Sequence, residues 1–160
     1  MKLLLTLSLT LFLQSQTLKE ELLNLNKTQL KTVKFIKTYT PKKYRQVALA
    51  IVWQESRFGK YLANPKDGRY GSYGIFHNLL SSVLKREGVS INKYNIERYK
   101  NLLKTYHKFA LKHFLLEYKF WLRKRNQNKA IKMYNCGYGK KCGGYLNKVL
   151  IKLKLVKKYL

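Results

Sequence analysis

Apolar residues along this chain recur mostly at steps of three and four, the spacing that puts them on one face of a helix. Leu18, Leu22, Leu25, Leu30, Val33 and Ile36 set this pattern from 18 to 38, with a break near Asn24–Asn26. Thr40-Pro41 then resets the chain, with Thr as an N-cap and Pro in the first helical position. Tyr44, Val47, Ala48, Ile51 and Val52 follow the same steps, and Gly59 offers a C-terminal stop. Residues 60–78, "KYLANPKDGRYGSYGIFHN", hold Asn-Pro, Asp-Gly and further glycines. They read as a long loop or a small irregular β-hairpin, and a loop of that length in a small domain is usually functional. Asn78 is placed to cap a short helix from Leu79 to Glu87, ended by Gly88. Residues 93–125 are helical by period, as one helix or two, through Leu102, Leu103, Tyr106, Phe109, Ala110, Phe114, Phe120, Trp121 and Leu122. Asn128 is expected to cap a further helix ending at Met133-Tyr134. A second glycine loop comes next, "NCGYGKKCGG". From Tyr145 the tail is an amphipathic basic helix with Leu146, Val149, Leu150, Leu153 and Val156. The fold class implied is mainly α, with two Gly-rich loops facing the end of one buried helix.

One position breaks the polarity of this pattern. Glu55 is the next member of the series on the helix after Pro41, four after Ile51 and three after Val52. It therefore faces inward at the helix's C-terminal end. The chain has only seven acidic residues against thirty-four basic ones, and Glu55 stands at the end of a seven-residue apolar run, Val47 to Trp53, with only Gln54 between. Apolar neighbours and the negative end of the helix dipole disfavour its charged form, while Lys and Arg, with Arg57 near in sequence, oppose both. Either it is salt-bridged to one of those cations, or it is a working group.

Composition narrows the class. With 160 residues and 46% hydrophobic content, the chain suits one domain with a real core. A net charge of +27 favours polyanions: DNA, RNA, an anionic membrane or an acidic wall polymer. The cations are spread along the chain, as a lysine-biased composition with a solvated basic surface also would be. The N-terminus, "MKLLLTLSLTLFLQSQT", has one Lys and then eleven largely apolar residues. That matches a secretory signal core and is short of the ~20 residues of a spanning helix. Residues 1–17 are thus expected to be a signal peptide or an uncleaved N-terminal anchor, and 18–160 a single exported domain in the periplasm or cell envelope. Export argues against intracellular nucleic-acid work. Cys136 and Cys142 flank a short Gly-containing loop that a disulfide can close in an oxidising compartment. No His lies near them in sequence, so no metal is expected, and no organic cofactor either. His107 and His113 are six apart and do not share a helix face.

A protonated carboxylic acid in a cleft is what glycosidic cleavage needs to protonate the leaving oxygen. Most glycosidases add a second carboxylate. Asp67, in the loop after Glu55, is the nearby candidate, and its ordinary role would be to open an Asp-Gly turn. Otherwise the reaction manages with one carboxylate. That is sensible for an N-acetylated sugar, whose acetamido oxygen can stabilise the developing positive charge.

Three segments carry a resemblance. "Gln54-Glu55-Ser56-Arg57-Phe58" resembles the Glu-Ser-x-Phe motif of the soluble lytic transglycosylases, which share the goose-type lysozyme fold. "Gly71-Ser72-Tyr73-Gly74-Ile75-Phe76-His77" is similar to their Gly-Ala-x-Gly-Leu-Met-Gln stretch, with His77 where the family has Gln. "Met133-Tyr134-Asn135-Cys136-Gly137-Tyr138-Gly139" is similar to their Ala-Tyr-Asn-Ala-Gly-Pro-Gly. Order and approximate spacing agree over about residues 40–150. The resemblance implies a lysozyme-like helical domain whose Gly-rich loops surround a glycan groove. It implies Glu55 as the single acid/base, Ser56, Ser72, Gly74, Ile75, Phe76 and His77 lining the groove, and Tyr134 and Asn135 orienting Glu55 or the sugar. The implied substrate is peptidoglycan, cut at the MurNAc-GlcNAc β-1,4 bond to leave 1,6-anhydromuramyl ends. A lysozyme-type muramidase on the same fold is the near alternative, and a cationic wall- or nucleic-acid-binding protein the distant one. Expected partners are glycan strands, with the membrane reached only through an uncleaved N-terminal segment. Wall recycling, a secretion or conjugation assembly, and a phage-derived lysis step are all settings for such a domain.

Overall fold

The computed structural model describes residues 16–138 and 143–160. The expected signal segment therefore falls almost wholly outside the described residues, as does Cys142. Helical residues 16–23 form α1, and the expected break at 24–26 comes after it. The described residues form seven further helices and three two-residue strands: α2 (Lys27–Tyr39), α3 (Lys42–Ser56), β1 (Ala63–Asn64), β2 (Ser72–Tyr73), β3 (Asn78–Leu79), α4 (Leu80–Arg86), α5 (Lys93–Thr105), α6 (His107–Lys124), α7 (Gln127–Cys136) and α8 (Tyr145–Tyr159). The protein is mainly helical. Among the described residues no helix is long and apolar enough to cross a membrane.

The organising element is α3. Its residues Val47 to Trp53 are all buried, so the helix is apolar all round and not on one face only. The simple three-and-four pattern understated it. α8 packs along it, with Tyr145, Val149, Leu153 and Val156 turned inward, and α2 covers another side with Val33 and Ile36. α6 forms the opposite wall through Ala110, Leu111, Phe114, Tyr118 and Trp121, all buried at helical spacing. Phe114 stacks on Phe76 at 4.3 Å and on Tyr118 at 5.6 Å, so an aromatic column runs behind the site.

The helix starts differ from expectation in instructive ways. Thr40 does not cap α3; its N–H still bonds to the Ile36 carbonyl, so it ends α2, and Pro41 stands at the N-cap of α3. Asn78 does not cap α4, because its amide donates to the Ala110 carbonyl at 3.1 Å and it belongs to β3. Asn126, and not Asn128, caps α7, its Oδ1 accepting from the Lys129 N–H at 3.0 Å. Residues 93–125 are two helices, separated at Tyr106, whose φ of −110° and ψ of 87° leave the helical region. Asn26 and Gln29 form a reciprocal capping box at the start of α2.

The 60–78 segment is an antiparallel sheet of order β1-β2-β3, with Ala63 facing Tyr73 and Tyr73 facing Asn78. Gly74 comes directly after β2 with φ of 82°, and a Cβ there would sit 2.4 Å from the Leu103 carbonyl oxygen at the end of α5. Only glycine lets the loop pack so closely. Gly88 also has positive φ but faces open space. Gly74→Ala should therefore cost about 2–4 kcal/mol of stability, against about 1 kcal/mol for Gly88→Ala. Urea unfolding of the two variants checks this; equal losses would contradict the close packing.

Candidate active site

Glu55 is the penultimate residue of α3, and the turn after the helix fixes its direction. Arg57 and Phe58 both take left-handed backbone, at φ 49° and 56°. Non-glycine residues adopt that region at some cost, and such positions gather at functional sites. Two side chains hold the turn. Gln29 of α2 donates to the Arg57 carbonyl at 3.0 Å. Ser56 Oγ lies 2.7 Å from the Ile75 carbonyl oxygen and accepts from the Gly59 N–H at 2.9 Å. Ser56 thus ties the end of α3 to the 74–77 turn, which closes with the His77 N–H donating to the Gly74 carbonyl at 3.1 Å.

This clamp brings His77 beside Glu55. His77, also left-handed at φ 47°, places Nδ1 3.5 Å from Glu55 Oε2 and Nε2 3.0 Å from the Tyr61 carbonyl oxygen. On the other side, Tyr145 Oη donates to Glu55 Oε1 at 2.5 Å from the first residue of α8. Burial first, and then the Glu55 carboxylate, push the Tyr145 phenol well above its ordinary range, so it keeps its proton and donates. Tyr134 of α7 donates to the Phe76 carbonyl at 2.9 Å and packs edge-on against Phe114. Burial and the nearby Glu55 carboxylate raise it likewise. The Glu55 side chain is 13% exposed and that of His77 10%.

The pocket over Glu55 has a volume of about 300 Å³, at the lower end for small-ligand sites. Glu55, Asp67, His77, Tyr134 and Asn135 line it. Arg86, Glu117 and Trp121 line it too, and there Glu117 pairs with Arg86 and accepts from the Trp121 indole N–H at 2.7 Å. Behind them His113 is fully buried, its Nδ1 accepting from Arg86 Nε at 3.4 Å. Cys136, another lining residue, is disulfide-bonded, while its sequence partner Cys142 lies outside the described residues.

Of the residues expected on the groove, His77, Tyr134 and Asn135 line the pocket with Glu55. Ser56, Ser72, Gly74, Ile75 and Phe76 do not; they are buried behind it and shape it. The causes are simple: the 74–77 turn is pressed onto the core and shows only its last side chain, Ser72 lies in the buried strand β2, and the Ser56 hydroxyl is taken by backbone partners. The salt-bridge alternative for Glu55 fails at Arg57, whose carboxylate partner is Glu21 at 3.7 Å. Tyr145 was legible only as a helix position, although an aromatic with a polar tip directly after Gly143-Gly144 was a usable signal. Arg86, Glu117 and Trp121 carried no signal of their own. Among the described residues no His, Cys, Asp and Glu cluster suits a metal ion.

The chain matches no protein-family model, no curated protein and no solved structure.

Two consequences are measurable. Ser56→Ala leaves buried partners of the clamp without a hydroxyl and should cost about 1–3 kcal/mol in urea unfolding; a neutral variant would mean the turn holds itself. Burial and the Arg86 guanidinium hold His113 down at about 4, from 6.5. The unfolded chain binds that proton first, so stability is lost as pH falls from 6.5 toward about 4. His113→Gln should flatten the decline over that window, as read by unfolding midpoints across pH.

Proposed function

We propose that this protein cleaves peptidoglycan glycan strands as a lytic transglycosylase, on a lysozyme-like helical domain, with Glu55 as its one acid/base. One observation carries the proposal: the three segments that resemble the transglycosylase motifs, far apart in sequence, meet at one pocket through Glu55, His77 and Tyr134 with Asn135. The expected export and the +27 charge fit a protein that meets an anionic wall.

The chemistry derives from the carboxyl's setting. Tyr145 occupies Oε1, which leaves Oε2 as the working oxygen. Protonated, Oε2 gives its hydrogen to the glycosidic oxygen as the C1–O bond breaks with its electron pair going to that oxygen. The muramyl acetamido oxygen stabilises the positive charge at C1. Glu55, now a carboxylate, takes the proton of the sugar's C6 hydroxyl, whose oxygen bonds to C1 and closes the 1,6-anhydro ring. Water is neither consumed nor released. Tyr145 prevents the carboxyl from rotating between the two proton transfers.

A second reading rests on Asp67, which lines the same pocket. A second carboxylate there suits a lysozyme-type hydrolase, in which water attacks C1 and ordinary reducing ends result.

The test is digestion of purified peptidoglycan with the protein, with Glu55→Gln and with Asp67→Asn, and mass spectrometry of the released muropeptides. The expected result is 1,6-anhydromuramyl ends from the unaltered protein, a loss of about 100-fold or more with Glu55→Gln, and retained activity with Asp67→Asn. Reducing ends, with Asp67→Asn as damaging as Glu55→Gln, would install the hydrolase. Binding to the wall without any released fragment would remove both.

A further inference from the structure

Four of the seven acidic residues pair with a lysine or arginine: Glu21 with Arg57, Glu87 with Lys112, Glu97 with Lys100 and Glu117 with Arg86. Glu55 is held differently, by a phenol and an imidazole. A permanent cation would pin a carboxylate in its charged form. An imidazole can give up its charge, and therefore leaves the carboxyl free to carry a proton.

The imidazole's orientation is fixed. The Tyr61 carbonyl can only accept a hydrogen bond, so His77 Nε2 must carry a hydrogen. Nδ1 is then the atom that gains or loses a proton, and it is the atom 3.5 Å from Glu55 Oε2. Because Tyr145 donates to Oε1, Oε2 is likewise the carboxyl atom that gains or loses one. Two proton-exchanging atoms, each defined by a hydrogen bond on its far side, face each other in a pocket wall. At 3.5 Å the contact is long for direct transfer, but catalytic hydrogen bonds commonly tighten when substrate closes the site.

We propose that Glu55 and His77 hold one proton between them, and that His77 is the positioning residue that keeps a proton available to Glu55 above the pH range of an isolated carboxylic acid. The proposal rests on the reading of Glu55 as the acid, and it gives that reading a pH range. In the open pocket the pair is carboxylate with imidazolium. When a neutral glycan excludes water, the uncharged arrangement gains, and the proton moves from Nδ1 to Oε2. After Oε2 gives the proton to the glycosidic oxygen, His77 is neutral and Glu55 is free to act as base. The proton taken from the C6 hydroxyl then restores the pair, so His77 is unchanged over a turnover.

The surrounding groups are consistent with this. Burial lowers the His77 imidazole, but the Glu55 carboxylate, the Tyr61 carbonyl and the more distant Asp67 outweigh it and leave His77 raised from 6.5. Tyr134 and Tyr145 face Glu55 from α7 and α8 and remain neutral. Lys152 acts on Glu55 from a distance and is itself lowered by burial. Arg86 and Glu117, which line the same pocket, are paired with each other. The left-handed backbone of His77 shows that the turn holds this side chain in place at some conformational cost.

Histidine NMR tests the pair independently of any activity. The chain has three histidines, and burial lowers both His107 and His113, which leaves the raised one identifiable as His77. Expected in the full-length protein at alkaline pH is the Nε2–H tautomer of His77, with a titration midpoint above 6.5 that falls by about one unit or more in Glu55→Gln. The second measurement is the pH profile of glycan cleavage. His77→Gln keeps a donor for the Tyr61 carbonyl and should move the alkaline limb down by about one unit or more. A merely structural role would lower activity equally at all pH values. An Nδ1–H tautomer, or a His77 midpoint indifferent to Glu55→Gln, overturns the proposal even in an active enzyme. A coupled midpoint with an unmoved alkaline limb overturns the role in turnover. Coupled titration in a protein that cleaves nothing keeps the pair and discards the enzymatic reading instead.

Discussion

The site depends on one buried hydroxyl. Ser56 Oγ sits between the end of α3 and the 74–77 turn, 2.7 Å from the Ile75 carbonyl oxygen and 2.9 Å from the Gly59 nitrogen. Glu55 is the residue before it, and His77 is two residues beyond Ile75. Fixing Ser56 therefore fixes the spacing of the two backbone segments, and Tyr145 and the Tyr61 carbonyl then hold the carboxyl and the imidazole on them. The turn can reach α3 only because Gly74 has no Cβ to strike the Leu103 carbonyl. Backbone constraint, buried hydrogen bond and site geometry form one chain of cause.

Around this clamp the aromatic packing supplies rigidity. Phe76 is in the same turn as His77 and stacks on Phe114, which also meets Tyr118 and Tyr134. Tyr134 closes the circuit by donating to the Phe76 carbonyl. A shift of the turn would disturb three elements at once. Such over-determination lets three non-glycine residues, Arg57, Phe58 and His77, remain in left-handed backbone.

The helical periods were legible because α2, α6 and α8 each present a stripe to the core. The period could not show that α3 is buried all round, since a helix surrounded by neighbours loses its polar face. Cap positions slipped by one or two residues, at Thr40 because its N–H still belongs to α2 and at Asn78 because its amide has a tertiary partner, the Ala110 carbonyl. Glu55 was visible as an acid out of place on an apolar series. The buried members of the second segment looked equally placed for substrate, because sequence does not say which side of a turn faces the core. Tyr145 lies ninety residues from Glu55, and only the packing of α8 on α3 brings its hydroxyl there.

On the proposed function, the pocket over Glu55 receives a glycan. The most direct measurement is a two-dimensional NMR titration of the Glu55→Gln protein with an N-acetylglucosamine oligosaccharide at two salt concentrations. The expected shifts are concentrated at His77, Tyr134, Asn135 and Trp121 and little changed by salt, because the sugar is uncharged. Shifts confined to the lysine-bearing faces of the helices, or none with the sugar and strong salt-sensitive ones with an anionic polymer, would contradict it and leave a polyanion-binding protein in its place.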